Sequence, residues 1–164
     1  MESNERGQPA FLLAQVGAHA ANQFTERLGV LQLTPADAGI LRLLRIAAGI
    51  SQQELSEKLR IHPSRLVAIL DNLERRQLVE RKPNSEDRRL YSLHLTKDGG
   101  EILERIGQVA REHQDVLLAA LSGDDRKRLT ELLHRVADQQ GLTRGVHPGY
   151  QRLGKTKPAA LKHS

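Results

Sequence analysis

The 164 residues contain no cysteine, no tryptophan and a single methionine, and Phe11, Phe24, Tyr91 and Tyr150 are the only aromatic rings. Without cysteine there are no disulfides, thiolate zinc ligands, cysteine nucleophiles or thiol redox switches. Four rings are too few to stack successive bases, which argues against a single-strand or RNA binder. They are also too few for the core of a typical β-sandwich. A long hydrophobic run is missing as well. Gly7 to Thr25 is the longest uncharged stretch, and Gln8, Gln15, His19, Asn22 and Gln23 make it too polar to span a bilayer. Phe11 to Val16 followed by Ala18-His19-Ala20 imitates a secretion signal, but Glu2, Glu5 and Arg6 stand where a basic start is required. The reading is a cytoplasmic protein with no membrane association.

Catalytic and cofactor signatures are equally scarce. There is no G-x-G-x-x-G, no P-loop, no G-x-S-x-G and no H-E-x-x-H. No enzyme activity, cofactor or metal site is expected. His19, His113 and His134 fall on predicted helices without the convergent partners a metal site needs.

What the chain does have is leucine and segregated charge. The net charge is +5, and the stretch after Gly141 supplies all of it through Arg144, Arg152, Lys155, Lys157 and Lys162. Residues 1–141 balance, yet within them the segment 60–97 carries nine basic and five acidic side chains. Nucleic-acid surfaces concentrate positive charge on one face in this way.

Periodicity and punctuation divide the chain. Residues 1–8 are polar and read as a frayed end. A helix is predicted from Pro9 to Leu28, with Leu12, Val16, Ala20 and Phe24 on one face and Gly29 as its stop. Thr34-Pro35-Ala36-Asp37 starts a second helix, which runs through Leu41, Leu44 and Ala48 to Gly49. Ser51-Gln52-Gln53-Glu54 is a capping box that opens a short helix to about Leu59. His62-Pro63-Ser64 starts the next, which turns Leu66, Ile69, Leu70 and Leu73 inward and ends near Gln77. The period then changes: Leu78 to Lys82 and Leu90 to Leu95 read as two strands joined by the turn Pro83-Asn84-Ser85-Glu86-Asp87. Thr96 caps a long helix with Ile102, Ile106, Val109 and His113 on one stripe. Ser122 starts a last helix that buries Leu129, Leu132, Leu133 and Val136 and stops at Gly141.

A short helix, a sharp turn, a capped second helix and a basic hairpin make a winged helix-turn-helix. The fold class is mainly α, with a two-stranded wing and a helical dimerisation region built from both ends of the chain. Residues 9–141 form one domain. Within it, 34–97 is the winged head and 9–33 with 98–141 are dimerisation helices; 142–164 is a basic tail with little regular structure. A helix N-terminus with short polar and basic side chains suits the major groove, and arginines at a hairpin tip suit the negative potential of the minor groove.

Asp71-Asn72-Leu73-Glu74-Arg75-Arg76-Gln77-Leu78-Val79-Glu80-Arg81, then Glu86-Asp87-Arg88-Arg89, then Leu95-Thr96-Lys97-Asp98-Gly99 resemble the MarR family of bacterial transcription regulators. The resemblance covers Thr34 to Gly141, with the three motifs in the family's order and spacing. It implies a homodimer on a palindromic double-stranded DNA site, a repressor released by a small aromatic or phenolic effector. It further implies that Ser64, Arg65 and Ala68 face the bases with His62 close by. Ser51, Gln52 and Gln53 match the helix start that grips phosphate. Asp87 matches the acid that braces the wing, and Arg88 and Arg89 the arginines that reach DNA. Two departures stand out. Gln77 replaces the glycine that closes the recognition helix, and Pro63 and Ala68 replace residues that often contact bases.

Each of these residues has a plainer reading beside it. Arg88 and Arg89 could form a solvated turn, Arg65 could grip phosphate, and His62 could simply cap its helix. His19 is either a candidate for the effector cleft or a satisfied interface histidine. The tail is solubilising, packs on a partner through Leu142, Val146, Tyr150 and Leu153, or adds DNA contacts. The competing function is a winged-helix dimer used as a protein-interaction module, which gives no reason for the positive charge of segment 60–97.

Overall fold

The computed structural model describes residues 8–151. Their elements are α1 (Pro9–Gly29), α2 (Pro35–Ile46), β1 (Ile50–Ser51), α3 (Gln52–Leu59), α4 (Pro63–Arg75), β2 (Val79–Pro83), β3 (Tyr91–Leu95), α5 (Lys97–Leu117) and α6 (Gly123–Gln139), with a 3-10 turn at Pro148–Gln151. No helix among the described residues is long and apolar enough to cross a membrane.

The helix starts follow the local chemistry. Thr34 Oγ1 accepts the Asp37 N–H at 3.2 Å while Asp37 Oδ2 accepts the Thr34 N–H at 2.7 Å, a reciprocal box that satisfies two otherwise unpaired donors. Ser51 and Glu54 repeat it at 3.2 and 2.9 Å. Thr96 and Ser122 cap α5 and α6 through the N–H groups of Gly99 and Asp125.

Amphipathic faces then assemble the head. Leu41 and Leu44 of α2, Leu55 of α3, Leu66, Leu70 and Leu73 of α4 and Leu93 of β3 form one buried aliphatic cluster. The sheet has the order β1-β3-β2, all antiparallel, with Val79 opposite Leu95 and Arg81 opposite Leu93. The expected wing has two strands; β1 adds a third edge, pairing Ile50 with Leu93 and Ser51 with Ser92. Sequence missed it because two residues are too short for a period-two signal.

Helix α1 ends at Gly29 as expected, and the chain reverses at left-handed Gln32 (φ 55°), where Arg76 donates to the carbonyls of Gln32 and Leu31 at 2.7 and 3.1 Å. Two further expectations are corrected. Helix α2 ends at Ile46 rather than Gly49, because Gly49 (φ 84°) turns the chain into β1 and gives its N–H to the Leu93 carbonyl. The stripe of α6 is not buried within one chain: Leu132, Leu133 and Val136 are all exposed.

The stretch after Gly141 has more order than expected. Residues 142–151 fold back on α2, where Tyr150 is buried and Val146 packs on the core. Leu142 is exposed. Leu153 and the lysines beyond it lie outside the described residues, as do residues 1–7 of the segment 1–8 that was expected to fray.

Candidate nucleic-acid interface

The recognition helix α4 presents two faces because its leucines occupy the other. Leu66, Leu70 and Leu73 are buried, which leaves His62, Ser64 and Ala68 exposed and Arg65 half-buried along the N-terminal turns. His62 caps the helix: its Nδ1 accepts the Ser64 N–H at 3.3 Å and lies 2.8 Å from the Ser64 hydroxyl. A backbone N–H can only donate, so Nδ1 is the accepting nitrogen and Nε2 is the one turned away from the cap.

Ser51, Gln52 and Gln53 sit at the first turn of α3. Gln53 is exposed, Ser51 and Gln52 are half-buried, and the Ser51 hydroxyl donates to Glu54 at 2.8 Å. That carboxylate titrates below its ordinary range, through hydrogen bonds from the Ser51 backbone and side chain and the nearby Lys58 charge.

At the wing, Asp87 Oδ1 accepts the Arg89 N–H at 3.0 Å and the Arg89 Nε–H at 3.2 Å. The Leu90 N–H closes the turn on the Asp87 carbonyl at 3.0 Å. The same bonds from Arg89 hold the Asp87 carboxyl below the usual carboxylate pKa. The Arg89 side chain is nonetheless 90 % exposed, and Arg88 is exposed without a hydrogen bond or ion pair among the described residues.

One part of the site went unnoticed in the sequence. Arg81 of β2 reaches back to α4, pairing with Asp71 at 2.8 Å and with Glu74, whose Oε1 also accepts the Arg81 N–H at 3.3 Å. Burial opposes the Arg81 charge, but the hydrogen bonds it donates to the Asp71 and Glu74 carboxylates outweigh that and raise the pKa. The excess charge of segment 60–97 is therefore not evenly spread. Asp71, Glu74 and Arg81 satisfy one another, and Lys82 pairs with Glu80 at 2.8 Å. The wing tip keeps exposed cations, whereas Arg65 at the start of α4 is half-buried. The signal was available: Asp71, Glu74 and Arg81 stand within one helix turn and one tight connection.

His19 is exposed on α1, away from this surface. It lies within electrostatic reach of His113 on α5, whose ring sits 5.5 Å from Phe24. Burial, Arg27 and His19 together push the His113 pKa down. Among the described residues no group of three or more acids and histidines could hold a metal ion.

Comparison with known proteins gives this geometry a context. The MarR-family sequence profile matches residues 31–90, which span the head from before α2 to the wing. A protein assigned as transcriptional regulator of the hcr operon in Thauera aromatica is 33 % identical over 84 % of this chain and 83 % of its own. A serine-for-cysteine mutant of MarR from E. coli, solved with operator DNA, superimposes with a TM-score of 0.66 at 30 % identity, covering 81 % of this chain and 96 % of that one. The repressor CouR, bound to a 23-mer DNA duplex, gives a TM-score of 0.71 at 31 % identity, with coverage of 84 % and 97 %.

Proposed function

The chain belongs to the MarR family of transcriptional regulators, and from that premise we propose that it represses transcription as a homodimer whose two winged heads read one palindromic operator. In this reading Arg65, Ser64 and Ala68 of α4 meet base edges in the major groove, with His62 Nε2 beside them. Ser51, Gln52 and Gln53 hold the phosphate backbone through side chains and the positive end of α3. Arg88 and Arg89 enter the flanking minor groove. The observation that carries the reading is the wing tip: Asp87 fixes the turn by pairing with Arg89, whose side chain is still 90 % exposed, and Arg88 is exposed beside it, so both cations face outward at the tip.

The protein acts by occupancy rather than catalysis, in the cytoplasm where its DNA is. Release falls to a small aromatic or phenolic effector at the α1–α5 crossing. Phe24 and His113 offer ring surface there, Arg27 offers charge, and His19 stands at the margin.

One substitution in each part tests the DNA reading. Arg65→Ala should weaken operator binding by about 1–3 kcal/mol per contact and leave scrambled duplex almost unchanged. Arg88→Ala with Arg89→Ala should weaken both duplexes and lower the log–log salt slope by about one unit per lost contact. Titrations at several salt concentrations read both effects. Wing variants that keep full affinity for both duplexes would make the wing structural. A wild-type chain that selects no DNA fragment would favour the protein-interaction module instead.

A further inference from the structure

Residues 142–151 leave α6 at Gly141 and cross α2 as a strap. Tyr150, 9 % exposed, lays its ring on Gly39, where a Cβ would stand 2.9 Å from the ring Cζ. Any larger residue at position 39 would displace the ring. Arg42 of α2 donates to the Gly145 carbonyl, and Arg144 ties the strap to α6 through Asp138 at 3.0 Å. This packing makes the strap one wall of a cleft of about 580 Å³, whose other walls are α2 and the last turn of α3. The volume is that of a small-molecule site.

The lining has two parts. Leu43, Ile46, Leu59 and Val146 give an aliphatic surface, and no aromatic side chain among the described residues lines the cleft. Ile46 is 77 % exposed, an apolar group held in water although α2 has a buried face. Around it stand Arg42, Lys58, Arg60 and Arg144, against the single carboxylate of Glu57. Arg42 and Arg144 are engaged in holding the strap, and Glu57 accepts from Gln53 at 3.2 Å. Lys58 and Arg60 form no ion pair among the described residues. Arg60 occupies the left-handed cap of α3 (φ 52°), which points the chain away from the helix and leaves its guanidinium exposed at the cleft rim.

An aliphatic wall beside two unpaired cations selects an amphipathic anion. Without a ring to stack on, an aromatic ligand gains only area burial there, and an alkyl chain gains the same. We propose that this cleft binds a medium-chain aliphatic carboxylate, its chain along Leu43, Ile46, Leu59 and Val146 and its head group at Lys58 and Arg60. The site is separate from the α1–α5 crossing and does not depend on the effector reading given for it. It bears on DNA binding through α3, whose other end carries Ser51, Gln52 and Gln53.

Calorimetry on the full-length protein with octanoate, decanoate, decanol and benzoate tests this. Decanoate should bind saturably, about three- to fourfold tighter per methylene than octanoate. Decanol and benzoate should bind at least tenfold more weakly than decanoate. Lys58→Gln with Arg60→Asn should lower decanoate affinity at least tenfold and keep the chain-length dependence. Both side chains are exposed, and Asn tolerates the left-handed cap, so the variant should fold and show the wild-type circular dichroism spectrum. No saturable decanoate binding, equal affinity for decanol or benzoate, or unchanged affinity in the double variant would each overturn the assignment.

Discussion

At the scale of single residues, Gln77 shows how the fold tolerates an unfavourable side chain. The chain must reverse between α4 and β2, and it does so with Gln77 at φ 58°, left-handed space that costs a residue with a Cβ about 1–2 kcal/mol. The reversal holds because its backbone is fully engaged. The Gln77 N–H reaches the Glu74 carbonyl at 2.9 Å, and the Gln77 carbonyl accepts the Thr96 hydroxyl at 2.6 Å. Gln77→Gly should therefore stabilise the protein by about 0.5–1 kcal/mol, the relieved strain exceeding the added freedom of the unfolded chain. Gln77→Val, β-branched, should destabilise it by a similar or larger amount. Urea titration of both variants checks the sign. A Gln77→Gly variant less stable than the parent would mean that the Gln side chain contributes more than its backbone costs. The left-handed position was legible through the family resemblance, which places a helix-closing glycine where Gln77 stands. The matching reversal at Gln32 was not, since it depends on Arg76, 44 residues away.

Elements form where neighbours in sequence supply the chemistry and shift where distant partners do. The capping boxes at Thr34 and Ser51, the His62 cap and the starts at Thr96 and Ser122 were readable because donor and acceptor lie within three residues. Strand β1 was not, because two residues become a strand only when Leu93 is already alongside. The wing's attachment is the functional counterpart. Arg81 links β2 to Asp71 and Glu74 of α4, which ties the hairpin to that helix. Arg81→Met keeps the apolar stem but leaves two half-exposed carboxylates without their partner. The expected cost is about 1–2 kcal/mol of stability, since charged hydrogen bonds are lost while water still reaches both acids. Operator affinity should fall beyond what that instability explains, because the wing loses its register to α4. Hydrogen exchange in 79–95 should quicken relative to α2. A variant with normal exchange and normal operator affinity would confine the clamp to a surface ornament.

The whole molecule is unfinished as a single chain. Phe11, Leu12, Leu13 and Val16 of α1 are 45–65 % exposed, and Leu132, Leu133 and Val136 of α6 are 40–47 % exposed. Two helices from opposite ends of the chain thus keep leucine-rich stripes in water while the head buries its own. The expected dimerisation region rests on this pattern, since a small winged head cannot cover three long amphipathic helices. Covering both stripes with a second copy also sets the spacing of the heads, which a palindrome requires. Leu132→Glu with Val136→Glu places four carboxylates across the two-fold axis and should convert the protein to a monomer of 18.3 kDa in sedimentation at micromolar concentration. Both residues are exposed, so the winged core should keep its chemical shifts. Half-site affinity should survive, whereas affinity for the full operator should fall by several orders of magnitude as one of two linked contacts is lost. A variant that still sediments as a dimer would place the interface elsewhere. A monomer that binds the full operator as tightly as the parent would show that a single head suffices, and the palindromic reading would fail with it.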